Sequence, residues 1–394
     1  MSSVTQLANI LDKIPSSIEI LPDESYEFIQ QAGSPDAHQA ATPFLFIEGN
    51  LGVPKKALYR AYVEALVIFA SAKKGTFGEG VYSAQAVHTL VASSVVILLA
   101  NPGHLTALNV RKRLVQRRVL DSKRELELTA ALLTSRNCSN QSILWHHRQW
   151  LLHRIYGLFD GTMQSSEAQN TLSQIRTSPD GEISSHVLVS REVIDKELSI
   201  ASRACEIYSR NYFAWTHRHF CMELVMHSLN SIMDPTYLEE MAKLVSDEVI
   251  AIRLWIERHI SDSSAVHYLV ILIERLSAAG LIGILPFAFP HPENRLLPNV
   301  NDIAQTGAKD FFSSMSHAMS LLRSYPDHES LWHYFRAISH LADAKGDDIQ
   351  AFTHSFIYPW ACRSLSPSGF DSMRITIYAY RFLVWQAFQV GTSI

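Results

Sequence analysis

The sequence predicts an all-α superhelix, a crescent of antiparallel helix pairs, and two observations carry that prediction. The first is an internal repeat. Residues 209–225 place Trp215, Arg218, Met222 and Val225 in line, and residues 138–155 do the same with Trp145, Arg148, Leu152 and Ile155. Both series step by 3, 4 and 3, so each lies along one face of a helix. Matching faces at matching offsets mark a repeat, which decides the fold before other signals do. The second observation is a helix ahead of the motif. Before Asn211, Ile194, Leu198, Ala201, Cys205 and Tyr208 step by 4, 3, 4 and 3. A helix pair repeated with a small constant rotation curves into a superhelix.

Taken in order, residues 1–55 form an irregular lead-in, broken by Pro15, Pro22, Pro35, Pro43 and Pro54, with short helices expected near 7–14 and 25–32. Residues 56–394 read as a single helical-repeat domain. A helix over 56–73 shows Leu58, Tyr62, Leu66 and Phe69 on one face, and Gly75, Gly78 and Gly80 end it. The next helix, near 83–100, stops at Asn101-Pro102-Gly103. Motif copies then fall at 101–116, 138–155, 209–225, 260–276 and 325–341, with Leu108, Trp145, Trp215, Val266 and Trp332 as anchors. Arg111, Arg148 and Arg218 follow their anchors by three residues, the fourth copy has no arginine, and Arg336 follows Trp332 by four. Asn211 and Asp262 are good N-caps where second helices should start. Helices should also precede the fourth and fifth copies, over 238–258 and along Phe311, Met315, Met319 and Leu322. Two segments, 157–186 and 280–307, interrupt the period as insertions, the first poor in large apolar residues and the second rich in proline. Two more helices are expected over 347–365 and 371–390.

Composition bounds the function. Hydrophobic residues make up 47% and charged ones 18%, which places the chain among globular proteins. A formal charge of −4 gives no basic excess to neutralise phosphates, so a broad nucleic-acid surface is not expected. Cys138, Cys205, Cys221 and Cys362 lie far apart, as unpaired thiols in a reducing compartment do. The opening residues show no basic-then-apolar signal, and the apolar run 90–100 is too short to span a bilayer. A soluble, cytoplasmic protein is the expectation.

Residues 209–218, Ser-Arg-Asn-Tyr-Phe-Ala-Trp-Thr-His-Arg, resemble the Pro-x-Asn-Tyr-x-x-Trp-x-x-Arg repeat of protein prenyltransferase α subunits, with Ser for Pro. Residues 139–148 match at the Trp-His-His-Arg end, and 101–113 resemble the family's first repeat. The likeness covers roughly 83–345 and points to a divergent branch of repeat-containing proteins. It implies a heterodimer in which this chain braces a β subunit that carries the catalytic zinc. That enzyme transfers an isoprenoid, here expected to be geranylgeranyl, from its diphosphate to a C-terminal cysteine of a substrate protein. This chain would need no cofactor and would not be active alone. The resemblance also implies that the second and third repeats reach the diphosphate mouth, which makes Arg210, Tyr212, Phe213, Asn140 and Lys112 the candidates for that mouth or the β interface. Asn140 stands where the family has lysine and Ser142 where it has tyrosine. That removes one charge-assisted contact worth about 1.5–3 kcal/mol and leaves the catalytic residues unassigned, unless Arg210 or Lys112 covers the role.

The motif residues have a plainer structural role as well. Trp145, Trp215 and Trp332 should pack between neighbouring repeats. Arg148 and Arg218 should either fork onto a carboxylate or helix-end carbonyls of the next repeat or hydrogen-bond at the β-subunit surface. Tyr212 reads equally as a first-turn core residue or as a rim residue at the mouth. His146, His147, His217 and His219 lack any zinc-ligand spacing, so no metal is expected in this chain. No phosphate loop or nucleophile elbow is present. The alternative function is a non-enzymatic, tetratricopeptide-like scaffold, although such arrays keep a strict 34-residue period.

Overall fold

The computed structural model describes residues 2–22, 43–77, 83–156, 189–231, 234–279, 314–341, 347–362 and 370–391. The segments 157–186 and 280–307, the helix expected near 25–32 and Phe311 lie outside the described residues. The fold is all-α with one small sheet, and it falls into two compact units, Met1–Phe220 and Cys221–Ile394.

In the first unit, helix Ser3–Leu11 is capped by the Ser2 hydroxyl and buries Val4, Leu7, Ala8 and Leu11. The lead-in is not irregular after it. Strand Ser17–Leu21 pairs in parallel with Asn50–Pro54, and Leu45–Ile47 completes the sheet on the other side. The alternation Ile18, Ile20 and Leu51, Val53 is the period of a strand. Glu48 and Gly49, at φ 49° and 80°, form the two-residue turn between the antiparallel strands.

Helix Lys55–Phe77 packs on Ala84–Ala100 through Leu58, Ala61, Ala65 and Phe69, while Tyr62 and Leu66 are half-buried on its flank. Small alanines let the two backbones approach, so the core stripe lies one residue round from the apolar series read in the sequence. The motif copies follow as pairs. Leu105–Gln116 follows Ala84–Ala100, Ser142–Tyr156 follows Ser122–Leu133, and Tyr212–Ser231 follows Arg191–Ile207. Val115, Leu126, Leu151 and Leu152 form a buried cluster with Trp150, Val193 and Phe220 packed against it.

In the second unit, Pro235–Arg258 precedes Ser263–Ala278, whose N-cap Asp262 accepts from the amides of Ser264 and Ala265. A helix over 314–324 precedes Glu329–Leu341. The stretch expected over 347–365 is helical as Asp347–Phe352 and Tyr358–Ala361, joined by a π-turn, Thr353–Ile357. Pro359 has no N–H and its ring clashes with the carbonyl four residues back, and the widened turn ahead of it relieves both problems. Phe370–Gly391 is the last described helix.

Two anchors are fixed in the same way. The Trp145 indole donates to the Ser139 carbonyl at 2.8 Å and that of Trp332 to the Pro326 carbonyl at 2.7 Å, each six residues back. Trp145→Ala should therefore cost about 3–5 kcal/mol, whereas His146→Ala at the adjacent exposed position should stay within about 0.5 kcal/mol. Urea denaturation of the two variants checks the difference.

Candidate functional site

The arginines of the first three copies, Arg111, Arg148 and Arg218, do not face solvent. Arg148 is fully buried and forks onto Glu197 of the following pair, Nε to Oε2 at 2.6 Å and Nη2 to Oε1 at 2.7 Å. Its Nη1 donates back into its own pair, to the Leu126 carbonyl at 2.7 Å and the Thr129 hydroxyl at 2.9 Å. Arg111 repeats this arrangement one copy earlier. It forks onto Glu125 at 2.8 and 2.6 Å, and its Nη1 reaches the Val91 carbonyl at 3.1 Å and the Ser94 hydroxyl at 3.0 Å. Arg218 likewise donates to the Leu198 carbonyl and the Ser202 hydroxyl.

Each carboxylate has a second partner two residues past the anchor of its own copy. His147 Nε2 lies 3.3 Å from Glu125, and His217 Nε2 lies 2.9 Å from Glu197. In the fourth copy the Tyr268 hydroxyl donates to Glu248 at 2.6 Å. With Leu269 at that copy's arginine place, the buried cation is Arg253, which donates to the Ser314 hydroxyl and stands near His317 and Tyr334. Moving the arginine one position, as in the fifth copy, turns it outward. Arg336 is exposed and its guanidinium carbon lies 5.9 Å from the Trp385 ring centre.

These pairs shift the titration of their members. Burial alone would raise the Glu197 carboxyl, but Arg148 and His217 outweigh it and hold it down at about 2. Burial opposes in the same way at Glu125, where Arg111 and His147 prevail and the carboxyl again sits at about 2. Burial lowers His217 despite Glu197 beside it. Its Nδ1 has no hydrogen-bond partner among the described residues, which fits a neutral ring that donates from Nε2.

The same framework builds an exposed ridge in the first unit from the starts of second helices. The Asn211 side chain accepts from the Ala214 amide at 3.2 Å as an N-cap, and its amide donates to the Ser139 carbonyl at 2.8 Å. That bond ties the turn at 209–212 to the turn that holds Asn140. A Cβ added to Gly103 would stand 3.7 Å from Gln141 Oε1, so the first copy's turn borders the second's. On this ridge Tyr212 is 65% exposed and its ring meets Phe213 edge-on at 5.6 Å. Arg210 is exposed at φ 56°, a left-handed conformation that costs a non-glycine residue about 1 kcal/mol or more. Asn140, half-buried, completes the group. Lys112 does not share it. Its ammonium lies 4.7 Å over the Trp150 ring, ten residues along from Asn140 and so about 15 Å away along the helix. Burial there lowers its pKa.

Trp215 is buried, as are Arg218 and Asn211. Glu125 and Glu197 escaped the sequence reading, although Glu197 sits three residues after Ile194 on the apolar face of its helix, where an unexplained carboxylate signals a buried cation. Among the described residues no cluster of three or more His, Cys, Asp or Glu side chains could hold a metal ion, and no helix is long and apolar enough to cross a membrane.

The protein prenyltransferase alpha subunit repeat family matches residues 194–225, a span that holds Glu197, Asn211, Trp215, His217 and Arg218. The chain is 26% identical over 315 residues to protein prenyltransferase alpha subunit repeat-containing protein 1 of Danio rerio, covering 78% of this chain and 66% of that protein. It is 26% identical over 319 residues to protein 1-A of that name from Xenopus laevis, with 78% and 66% covered. The Homo sapiens protein is 24% identical over 321 residues, with 78% and 71% covered. The chain thus spans about two thirds of the length of these relatives.

The titrations fix the sign of the pH dependence. The folded-state pKa of His217 lies below its usual 6.5, so as pH falls through that value only the unfolded chain takes up the proton and stability drops. The glutamates act lower, with their contribution complete above about 4.5 and lost as pH falls toward about 2. Urea denaturation between pH 7 and 5 should show falling stability, and His217→Gln should flatten the slope. An unchanged slope would contradict a neutral buried ring.

Proposed function

We propose that this chain, which carries protein prenyltransferase alpha subunit repeats, is the α-type subunit of a protein prenyltransferase of the geranylgeranyl type. It pairs with a zinc-bearing β subunit, and the pair transfers an isoprenoid from its diphosphate to a C-terminal cysteine of a substrate protein. The observation that carries this reading is the ridge at Asn140, Arg210 and Tyr212. The motif spends its Trp, Asn and Arg inward, on packing, capping and buried ion pairs, and still leaves a tyrosine, a phenylalanine and a cation at the helix starts. An exposed aromatic beside a strained arginine is suited to an interface, where aromatic and arginine side chains supply most binding energy.

In this reading the partner's zinc would hold the substrate's own cysteine in its deprotonated, thiolate form. The residues of this chain brace the partner and present Arg210 to the diphosphate oxygens as a charge-assisted donor. With Asn140 in the lysine place, Arg210 is the ridge's cation. The heterodimer, the isoprenoid length and a cytoplasmic location form one proposal, and the relatives' shared name supports only its repeat architecture.

Co-expression with each candidate β subunit should give a 1:1 complex with the geranylgeranyl-type one on size exclusion. Tyr212→Glu should weaken that complex at least tenfold without lowering the melting temperature, and Asn140→Lys should speed transfer. A folded chain that ignores every β subunit would contradict the proposal and favour a scaffold that binds protein segments.

A further inference from the structure

The last described helix, Phe370–Gly391, has two faces of different character. Ile375, Ala379 and Phe382 are buried, with Phe382 ring-to-ring with Phe335 at 5.0 Å. The opposite face is the outer one, and a helix face that meets water is normally polar. Here it is apolar. Met373, Ile377, Tyr380, Val384 and Phe388 are 54%, 36%, 62%, 39% and 70% exposed. They step by 4, 3, 4 and 4, a stripe along one helix face that suits a second helix.

The order of residues along the stripe identifies that helix. With Arg381 included, the steps from Met373 to Phe388 run 4, 3, 1, 3 and 4, the same in both directions. A two-fold axis between positions 380 and 381 would set Met373 on the second copy's Phe388, Ile377 on its Val384 and Tyr380 on its Arg381. Each pairing has favourable chemistry: thioether on aromatic ring, branched aliphatic on branched aliphatic, and guanidinium on phenol ring. Arg381 is free to take part because its contact with Glu329, at 3.3 Å, is between two exposed side chains. Tyr380 and Phe388 each leave roughly 100–150 Å² of surface in water. Counted with the other three residues on both chains, the buried total approaches about 1,000 Å², the lower bound for a specific interface. We infer that this face joins two copies of the chain, with their last helices antiparallel about a two-fold axis. The inference is independent of the proposed β partner.

The test uses the full chain with Cys362→Ser, which removes the one cysteine that is not buried. Ile377→Cys and Val384→Cys are made in separate preparations and oxidised alone and mixed. The mixture should give a disulfide-linked dimer and neither preparation alone should, since identical positions lie about 10 Å out of register across the axis. Cross-linking of each variant alone would mean a parallel pair and overturn the arrangement. Sedimentation equilibrium supplies the second arm. The unaltered chain should dimerise at micromolar concentrations, and Tyr380→Glu with Phe388→Glu should raise the dissociation constant at least tenfold with no fall in melting temperature. A chain that stays monomeric at 100 μM, the concentration to be reached in that run, would overturn the inference.

Discussion

A guanidinium taken out of water must have its charge and its donors met, and Arg148 meets both with a fork onto Glu197 across two helix pairs. Desolvating each ion costs several kcal/mol, and the attraction repays this only with good geometry and satisfied remaining hydrogen bonds. Both conditions hold. The third nitrogen of Arg148 is filled by a carbonyl and a hydroxyl of its own pair, and the free side of Glu197 is filled by His217. The fork at Arg111 is built in the same way. Hydrophobic burial makes the helices pair, and the fork fixes which turn of one pair meets which turn of the next.

That register has a consequence at the helix starts. In the third copy Asn211, Trp215 and Arg218 turn inward, and Arg210 and Tyr212, the two neighbours of Asn211, face out. Asn211 links the two roles: one side chain caps its own helix and holds the carbonyl of Ser139 in the previous copy. Ridge and core are therefore alternating positions of one motif, so damage to a fork should displace the ridge as well.

Much of this was legible from residue spacing. The steps of 3, 4 and 3 from Trp145 and Trp215 placed the second helices, and Asn211 and Asp262 marked their starts. Some features were not. The carboxylates that receive the arginines lie 14 and 49 residues downstream, with an intervening segment of variable length, so no fixed offset finds them. The sheet near the start is made of short strands paired from 17–21 to 50–54 across a long separation, and Pro15, Pro22, Pro43 and Pro54, which suggested breaks, stand at or beside the ends of its strands. Lys112 and Arg210 looked equivalent as cations. Only the fold shows one over Trp150 and the other at the ridge.

The central claim is that the buried forks, beyond simple packing, couple successive copies. A double-mutant cycle on Arg148→Met and Glu197→Leu, followed by urea denaturation at pH 7, tests it most directly. Each single change strands a buried charge and should cost about 3–5 kcal/mol, while the double variant, with neither charge left, should be more stable than either single one. Costs that add within about 0.5 kcal/mol would mean that the two residues act independently, and the account would fail.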